Sequence, residues 1–342
     1  MKNRTLRNFV KVALIGGGIA TQALAQNNSD FAFKQNAQMG RGMNVLSADP
    51  MWKSPRKGRM TERHFALIKA AGYGNVRIPI HPFRFATDQE NFTLDPKFFT
   101  TLDWAIRTAL KNDLMPIVDF HEHNQMSSDP LGKKRMFLAM WKQIAAHCRD
   151  YPREVLFEIC NEPNMKPEIW NEIQEEARQL IRTSNPQRTL IIGTINGNQI
   201  QYLKDLELPE DDRNIIVAIH YYSPIQFTHQ GAPWSKKGKD QKNVPWTATA
   251  AEQQAVMRDF DVAQQWSKEN NRPLTLGEFG AYEKADMKHR QTWTAFIARQ
   301  AEQRNWSWSY WQFDSDFIAY DIDHDHWVNP IQEALVLLLK SN

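Results

Sequence analysis

The chain has 342 residues and a formal charge of +3, but four basic residues, Lys2, Arg4, Arg7 and Lys11, crowd the first 25 positions with no acidic residue among them. Taking those four from +3 leaves the other 317 residues at −1. A body so near neutrality makes no electrostatic case for nucleic acid or an anionic membrane as partner.

The opening segment reads as a secretory signal peptide. The basic start runs into an apolar stretch from Val12 to Ala20, and Ala23-Leu24-Ala25 is a small-x-small cleavage site before Gln26. The stretch is too short for a membrane span, and no later stretch is long and apolar enough for one. Cleavage is expected after Ala25, which makes the protein secreted, to the periplasm or the exterior. Residues 26–342 contain no Pro/Ser/Gly-rich linker, low-complexity tract or short repeat. They are expected to form one catalytic domain, of a length usual for a (β/α)8 barrel.

Eight short β-rich runs then alternate with helical patterns. The strands are expected at Gly40–Leu46, Asn75–Ile80, Met115–His121, Val155–Asn161, Thr189–Ile195, Ile215–Tyr221, Pro273–Phe279 and Ser307–Phe313. Most are apolar runs bounded by Gly, Pro, Asn or Asp, as parallel strands buried on both faces should be. Between them, Phe98, Leu102, Ile106 and Leu110 fall at helical spacing, as do Phe137, Met140, Trp141 and Ile144, and Trp293, Phe296 and Ile297. Ile331–Leu339 supplies a closing helix after Pro330. Eight strand–helix units with right-handed crossovers give an α/β fold, a single (β/α)8 TIM barrel. An open doubly wound sheet is the alternative, weakened because no Gly-rich phosphate loop follows the first strand. Cys148 is expected at the bottom of the barrel and Cys160 near the top of the next strand. Strand rise alone parts them by about 15–20 Å, whereas a disulfide needs Cα atoms within roughly 7 Å. No bridge is expected.

In such a barrel, catalytic groups collect at the C-terminal ends of the strands. There the sequence places Asn44, Arg77, His81, Asp119-Phe120-His121-Glu122-His123, Asn161-Glu162-Pro163, His220-Tyr221-Tyr222, Gly277-Glu278-Phe279-Gly280 and Trp311. Seven of the ten histidines (His81, His121, His123, His220, His229, His324 and His326) fall at this end, and only His64, His147 and His289 belong to helices. Glu162 and Glu278, three units apart around an eight-fold ring, can aim at one bond. Glycoside cleavage needs one protonated carboxyl for the leaving oxygen and a second carboxylate for the oxocarbenium-like centre. Arg77 is the one strand-end arginine available to hold a carboxylate ionised, which lowers its pKa. The partner keeps its proton beside a like charge.

The set Arg77-Ile78-Pro79, His121, Asn161-Glu162-Pro163, His220-Tyr221-Tyr222, Gly277-Glu278-Phe279 and Trp311 resembles glycoside hydrolase family 5, the cellulase-type clan A barrels, over about residues 39–340. The segments from Phe227 to Ala232 and from Gly277 to Tyr282 look like those of bacterial endoglucanases with side activity on β-mannan. The resemblance implies a retaining endo-β-1,4-glucanase acting on a β-1,4-linked polysaccharide or oligosaccharide, with no cofactor and no catalytic metal. It implies Glu162 as acid/base and Glu278 as nucleophile, Asn161 on the sugar 2-hydroxyl, and Arg77 and Tyr222 near the nucleophile. His121 and His220 bind the −1 sugar or orient the carboxylates, and Trp311 stacks beneath that sugar. Asn44 fits the family's strand-one Asn in the glycone subsites, and His229 and Trp234 join the substrate-binding set. Three features depart from the pattern: Glu122 replaces a second His, the loop around Asp49-Pro50 is short, and Asn196-Gly197-Asn198 lacks a Trp.

Trp52, Trp234, Trp246, Trp311 and Trp327 are all candidates for sugar platforms, because apolar sugar faces stack on aromatic rings; plain packing is the competing reading, weakest for Trp311 and then Trp234. The tract Asp321-Ile322-Asp323-His324-Asp325-His326 has the composition of a metal site but no fixed ligand spacing. His121-Glu122-His123 resembles the motif of metal-dependent barrel hydrolases, yet strand five offers no further His. Glu158 reads as a buried partner for Arg or a hydroxyl. A catalytically dead sugar-binding barrel should lack a Glu or Arg77, and none is missing. A monomer is the simpler expectation, and the choice among glucan, mannan and xyloglucan is left to loop contacts.

Overall fold

The computed structural model describes residues 30–47 and 49–336. The expected signal peptide and the last residues of the closing helix lie outside them. Eight parallel strands close a barrel in chain order: β1 (Arg41–Asn44), β2 (Asn75–Ile80), β3 (Met115–Phe120), β4 (Leu156–Glu158), β5 (Leu190–Gly193), β6 (Ile215–Tyr221), β7 (Leu274–Phe279) and β8 (Ser307–Tyr310). β1 pairs with both β2 and β8, which shuts the ring. All eight lie where the apolar runs put them. Six are shorter than read, five of them at the top, where the strand ends splay into loops. In β4 the backbone ladder nevertheless continues: Ile159 N donates to Ile191 O (3.0 Å) and Asn161 N to Phe120 O (3.0 Å). Those bonds carry the rigid wall up to Glu162.

The helices cover the barrel with the residues their periodicity marks. Phe98, Leu102 and Ile106 of Pro96–Lys111 are fully buried, as are Phe137, Met140, Trp141 and Ile144 of Pro130–His147. Each of these helices begins on a proline preceded by an aspartate whose side chain accepts a first-turn N–H, the usual N-terminal chemistry. The bottom of the barrel carries a helix over residues 30–39 that the sequence reading did not assign. Its Ala32 and Met39 pack on Met115, Ile117, Leu156, Ile191, Ile216 and Ala218 inside the ring. Gln35 and Asn36 bond to Arg153 O and Asn305 O. The closing helix is Asn329–Val336. Cys148 and Cys160 are both buried and free. Among the described residues no helix is long and apolar enough to cross a membrane.

Candidate active site

Arg77, fully buried on β2, organises the top of the barrel. Its Nε and Nη2 donate to Glu158 Oε2 and Oε1 at 2.6 and 2.9 Å. Nη1 donates to Glu278 Oε1 at 2.7 Å and Asn44 Oδ1 at 2.9 Å. Nη2 also meets Asn161 Oδ1 at 2.7 Å and Asp119 Oδ2 at 3.0 Å. From β2, one planar cation thus fixes groups from β1, β3, β4 and β7, and its forked geometry is why lysine cannot replace it. Glu158 takes the arginine-partner place its sequence position pointed to.

Register puts Glu278 in this cluster. Along β6 and β7 the partners are Ile219 with Leu276, then His220 with Glu278, so Gly277 is skipped in a bulge. The bulge re-aims the strand end and sets Glu278 level with His220. A Cβ at Gly277 would stand 2.9 Å from His220 Nε2, so no other residue fits there without displacing the ring. Tyr222 Oη donates to Glu278 Oε2 at 2.9 Å. Glu162, across the mouth, has φ +41°, an uncommon backbone state for a glutamate and one concentrated at functional sites. His220 Nδ1 lies at hydrogen-bonding distance from Glu162 Oε1, 2.9 Å away. A carboxyl oxygen of each glutamate and a His220 nitrogen all lie within 4.8 Å of one another.

Burial pushes Glu278 up to about 7, against the pull of His220 and Arg77. Burial also raises Glu162, against His123 and Arg77. The expectation that Arg77 lowers its carboxylate partner's pKa is therefore corrected: its attraction has the expected sign, and desolvation outweighs it. The two groups titrate as a pair. Both Glu278 oxygens accept from a guanidinium or a phenol, whereas Glu162 has one imidazole donor, so the pair's first negative charge rests on Glu278. His220 is pushed down to about 4 by burial and is neutral near pH 7.

A cleft of about 960 Å³ opens over these groups, lined by His121, Asn161, Glu162, His220, Tyr222, His229, Trp234, Glu278 and Trp311 among others. A second hollow of about 590 Å³, lined by Trp52, His81, Arg84 and Glu122, shares His121 and His123 with it. Trp311 stacks on His121 at 5.5 Å and 8° between planes, and Trp234 stands 52% exposed, edge-on to Tyr282. The other three tryptophans are held mainly by packing, though Trp52 also edges the second hollow. Trp246 is buried beside Phe296, and Trp327 packs on Tyr73 and Tyr320. Trp52 is 5% exposed and stacks on Phe98. Asn44 also needs correction. It is fully buried, with Nδ2 near the carbonyls of Gly277, Ser309 and Tyr310 and Oδ1 on Arg77. Level with Arg77 in the β1–β2 register, it braces the arginine from the side and is too buried to face a glycone subsite. Asn161 spends Oδ1 on Arg77 and directs Nδ2 toward His121 Nε2 and His123 Nδ1, at 3.3 and 3.2 Å. His229 lies edge-on to Tyr222 and bonds Thr228 Oγ1.

Other site residues, named in the sequence analysis without a role, gain one here. Asp119 bonds His121 Nδ1 at 2.6 Å, and burial pushes it up to about 7. Asn198 Nδ2 donates to His220 Nε2 at 3.1 Å. The run of residues tolerant of positive φ was its signal: Asn196, Gly197 and Asn198 have φ of 54°, 79° and 53°. Glu122 accepts from Phe83 N and Gln125 Nε2, tying the β2 and β3 loops together. In the acidic tract, Asp321 bonds His324, Asp323 pairs with Arg59 and Asp325 with Arg63. Its charges are spent on solvated pairs and do not converge as ligands.

A closed eight-strand barrel with two inward carboxyls under an aromatic-lined open cleft defines the barrel glycosidases. The chain belongs to the cellulase family, glycosyl hydrolase family 5, whose model matches residues 28–316. It is 31% identical over 317 residues to Endoglucanase H of Acetivibrio thermocellus, covering 89% of this chain and 33% of that protein. It is 24% identical to Endoglucanase 3 of Fibrobacter succinogenes, covering 87% of this chain and 52% of that one. The chain therefore spans about a third to a half of these relatives' length. Among solved structures, the fold matches Thermotoga maritima Cel5A in complex with mannotriose, at 38% identity and TM-score 0.84, over 89% of this chain and all of that one. It also matches the cellulose synthase subunit Z of Clostridioides difficile, at 36% identity and TM-score 0.81, over 87% and 99% of the chains.

Proposed function

We propose that the chain is the secreted catalytic domain of a retaining endo-β-1,4-glucanase, with Glu278 as nucleophile and Glu162 as acid/base. The observation that carries this reading is the close approach of the two carboxyls, one oxygen of each lying within 4.8 Å of the other. Retaining pairs stand about 5–5.5 Å apart, while inverting pairs leave about 6.5–9.5 Å for a water. In the first step, Glu278 Oε attacks the anomeric carbon while Glu162 gives its proton to the leaving oxygen. The second step reverses the roles: ionised Glu162 takes a proton from water, which displaces Glu278 from the sugar. Arg77 and Tyr222 hold the attacking carboxylate, and His220 steadies Glu162 between its two states. Asn161, His121 and Trp311 line the −1 position, and His229 and Trp234 lie farther along the cleft. An open cleft favours internal cuts. The leader pattern at residues 1–25 supports export, and no step of the scheme draws on a cofactor or metal.

Glucan is the substrate favoured by the names of the relatives. Mannan and glucomannan form the second reading, supported by the mannotriose complex of the Thermotoga maritima enzyme. A reducing-sugar assay over carboxymethyl-cellulose, barley β-glucan, glucomannan, xyloglucan and xylan separates them, with barley β-glucan expected to lead. Proton NMR of the first product should show the β-anomer; the α-anomer appearing first would overturn the role given to Glu278.

A further inference from the structure

We propose that Asn198 is a positioning residue that fixes the proton of His220 on Nδ1, facing Glu162, and so sets the proton affinity of that carboxyl. The inference rests on the reading of Glu162 as acid/base.

Three observations carry it. Asn198 is fully buried, and its Nδ2 donates to His220 Nε2 at 3.1 Å. A neutral imidazole that accepts at one nitrogen must carry its proton on the other, and the other nitrogen stands 2.9 Å from Glu162 Oε1. The site is also shaped for this side chain. A Cβ on Gly193 would stand 2.2 Å from Asn198 Oδ1, and three consecutive residues of the loop adopt positive φ to aim the amide inward. Finally, Asn198 Oδ1 is buried without a partner among the described residues. Such an atom is a cost, retained here while the amide's N–H serves the histidine.

The consequence is chemical. With Nδ1–H pointed at its Oε1, Glu162 has a donor that bonds the ionised carboxylate more strongly than the protonated acid, which favours the state that must activate water in the second step. The remaining groups facing this pair, Arg77, Asp119, His123, Glu158, Tyr222 and Glu278, act on Glu162 with or without Asn198. Removing the amide therefore isolates the tautomer.

The test has two arms. Nitrogen NMR of histidine-labelled protein, with His220 assigned by its loss in His220→Gln, should find Nδ1 protonated and Nε2 bare near pH 7. A bare Nδ1 overturns the proposal, and this arm uses no substrate and is independent of any role for Glu162. In the second arm, Asn198→Ala should move the alkaline limb of the kcat/KM profile up by about 0.5–1 pH unit, the size of one neutral hydrogen bond. The acid limb should stay in place, and the His220 signals should shift toward a mixture of tautomers. Altered tautomers with an unmoved alkaline limb would instead count against Glu162 as the acid, and unaltered tautomers in Asn198→Ala would overturn the positioning role. If Asn198→Ala fails to fold, the first arm still decides.

Discussion

The surroundings of Glu278 and Glu162 differ as much as two sites within 5 Å allow. Glu278 has a 6% exposed side chain and accepts at both oxygens from Arg77 and Tyr222. Glu162 has a 26% exposed side chain, one imidazole donor, and a second oxygen left for whatever enters the cleft. Burial raises both, so the difference lies in how firmly each anion is held. A carboxylate with two fixed donors is a stable place for charge, whereas one with a single neutral donor passes a proton readily. The same barrel rim thus supplies one side suited to attack and one suited to proton transfer.

The sharpest way to break this comparison is to remove each carboxyl in turn. Glu278→Gly should lower kcat by about 10⁴-fold or more on every substrate, since no covalent step remains. Glu162→Ala should lose about 10²–10⁴-fold on polysaccharide, the usual worth of a general acid, yet keep turning over a dinitrophenyl glycoside and be accelerated by azide. Azide acceleration in Glu278→Gly and not in Glu162→Ala would exchange the assignments.

Arg77→Met probes the charge under Glu278. Asp119, Glu158 and Glu278 would lose their shared cation, and breaking a buried pair costs about 3–5 kcal/mol. Denaturant unfolding at pH 7 should report that loss, and part of it should return at pH 5, where protonation relieves the orphaned carboxyls. A loss under about 1 kcal/mol would mean that Arg77 is not the hub drawn here.

Glu122 offers a milder contrast, a buried carboxyl outside the pair. Burial pushes it from 4.5 up to about 7, so the folded state holds its proton where the unfolded state has released it. Stability then falls as pH rises from 4.5 to about 7, and the loss is complete above that. Glu122→Gln removes this term. Its stability relative to the parent should improve between pH 5 and pH 8 by on the order of 2 kcal/mol, read as the change in unfolding free-energy difference. A pH-independent difference would place Glu122 in contact with water.

The smallest effects separate the two cleft tryptophans. Trp311→Ala should lower kcat by roughly tenfold or more, because the ring lies beside the reacting groups. Trp234→Ala, at an exposed edge, should act on KM by a few-fold. The reverse order would redraw the cleft.

Several of these features were written in the chain itself. Apolar runs of fixed length, separated by helical periodicity, dictate eight parallel strands, because a strand covered on both faces has nowhere polar to put its side chains. Strand ends then bring Arg77, Glu162, Glu278, His220 and Trp311 to one rim, as their sequence positions required. Local pattern carries no information about depth, however. Asn44 looked like a rim residue and is fully buried beside the arginine, its register partner, and Trp246 sits in a loop yet is buried against a helix. The bottom helix over residues 30–39 could be placed only by the ring it covers. The bulge that skips Gly277, the amide that Asn198 turns toward His220, and the excess of burial over attraction in the Glu278 carboxyl arise from contacts between residues far apart in sequence. Those contacts exist only once the barrel has closed.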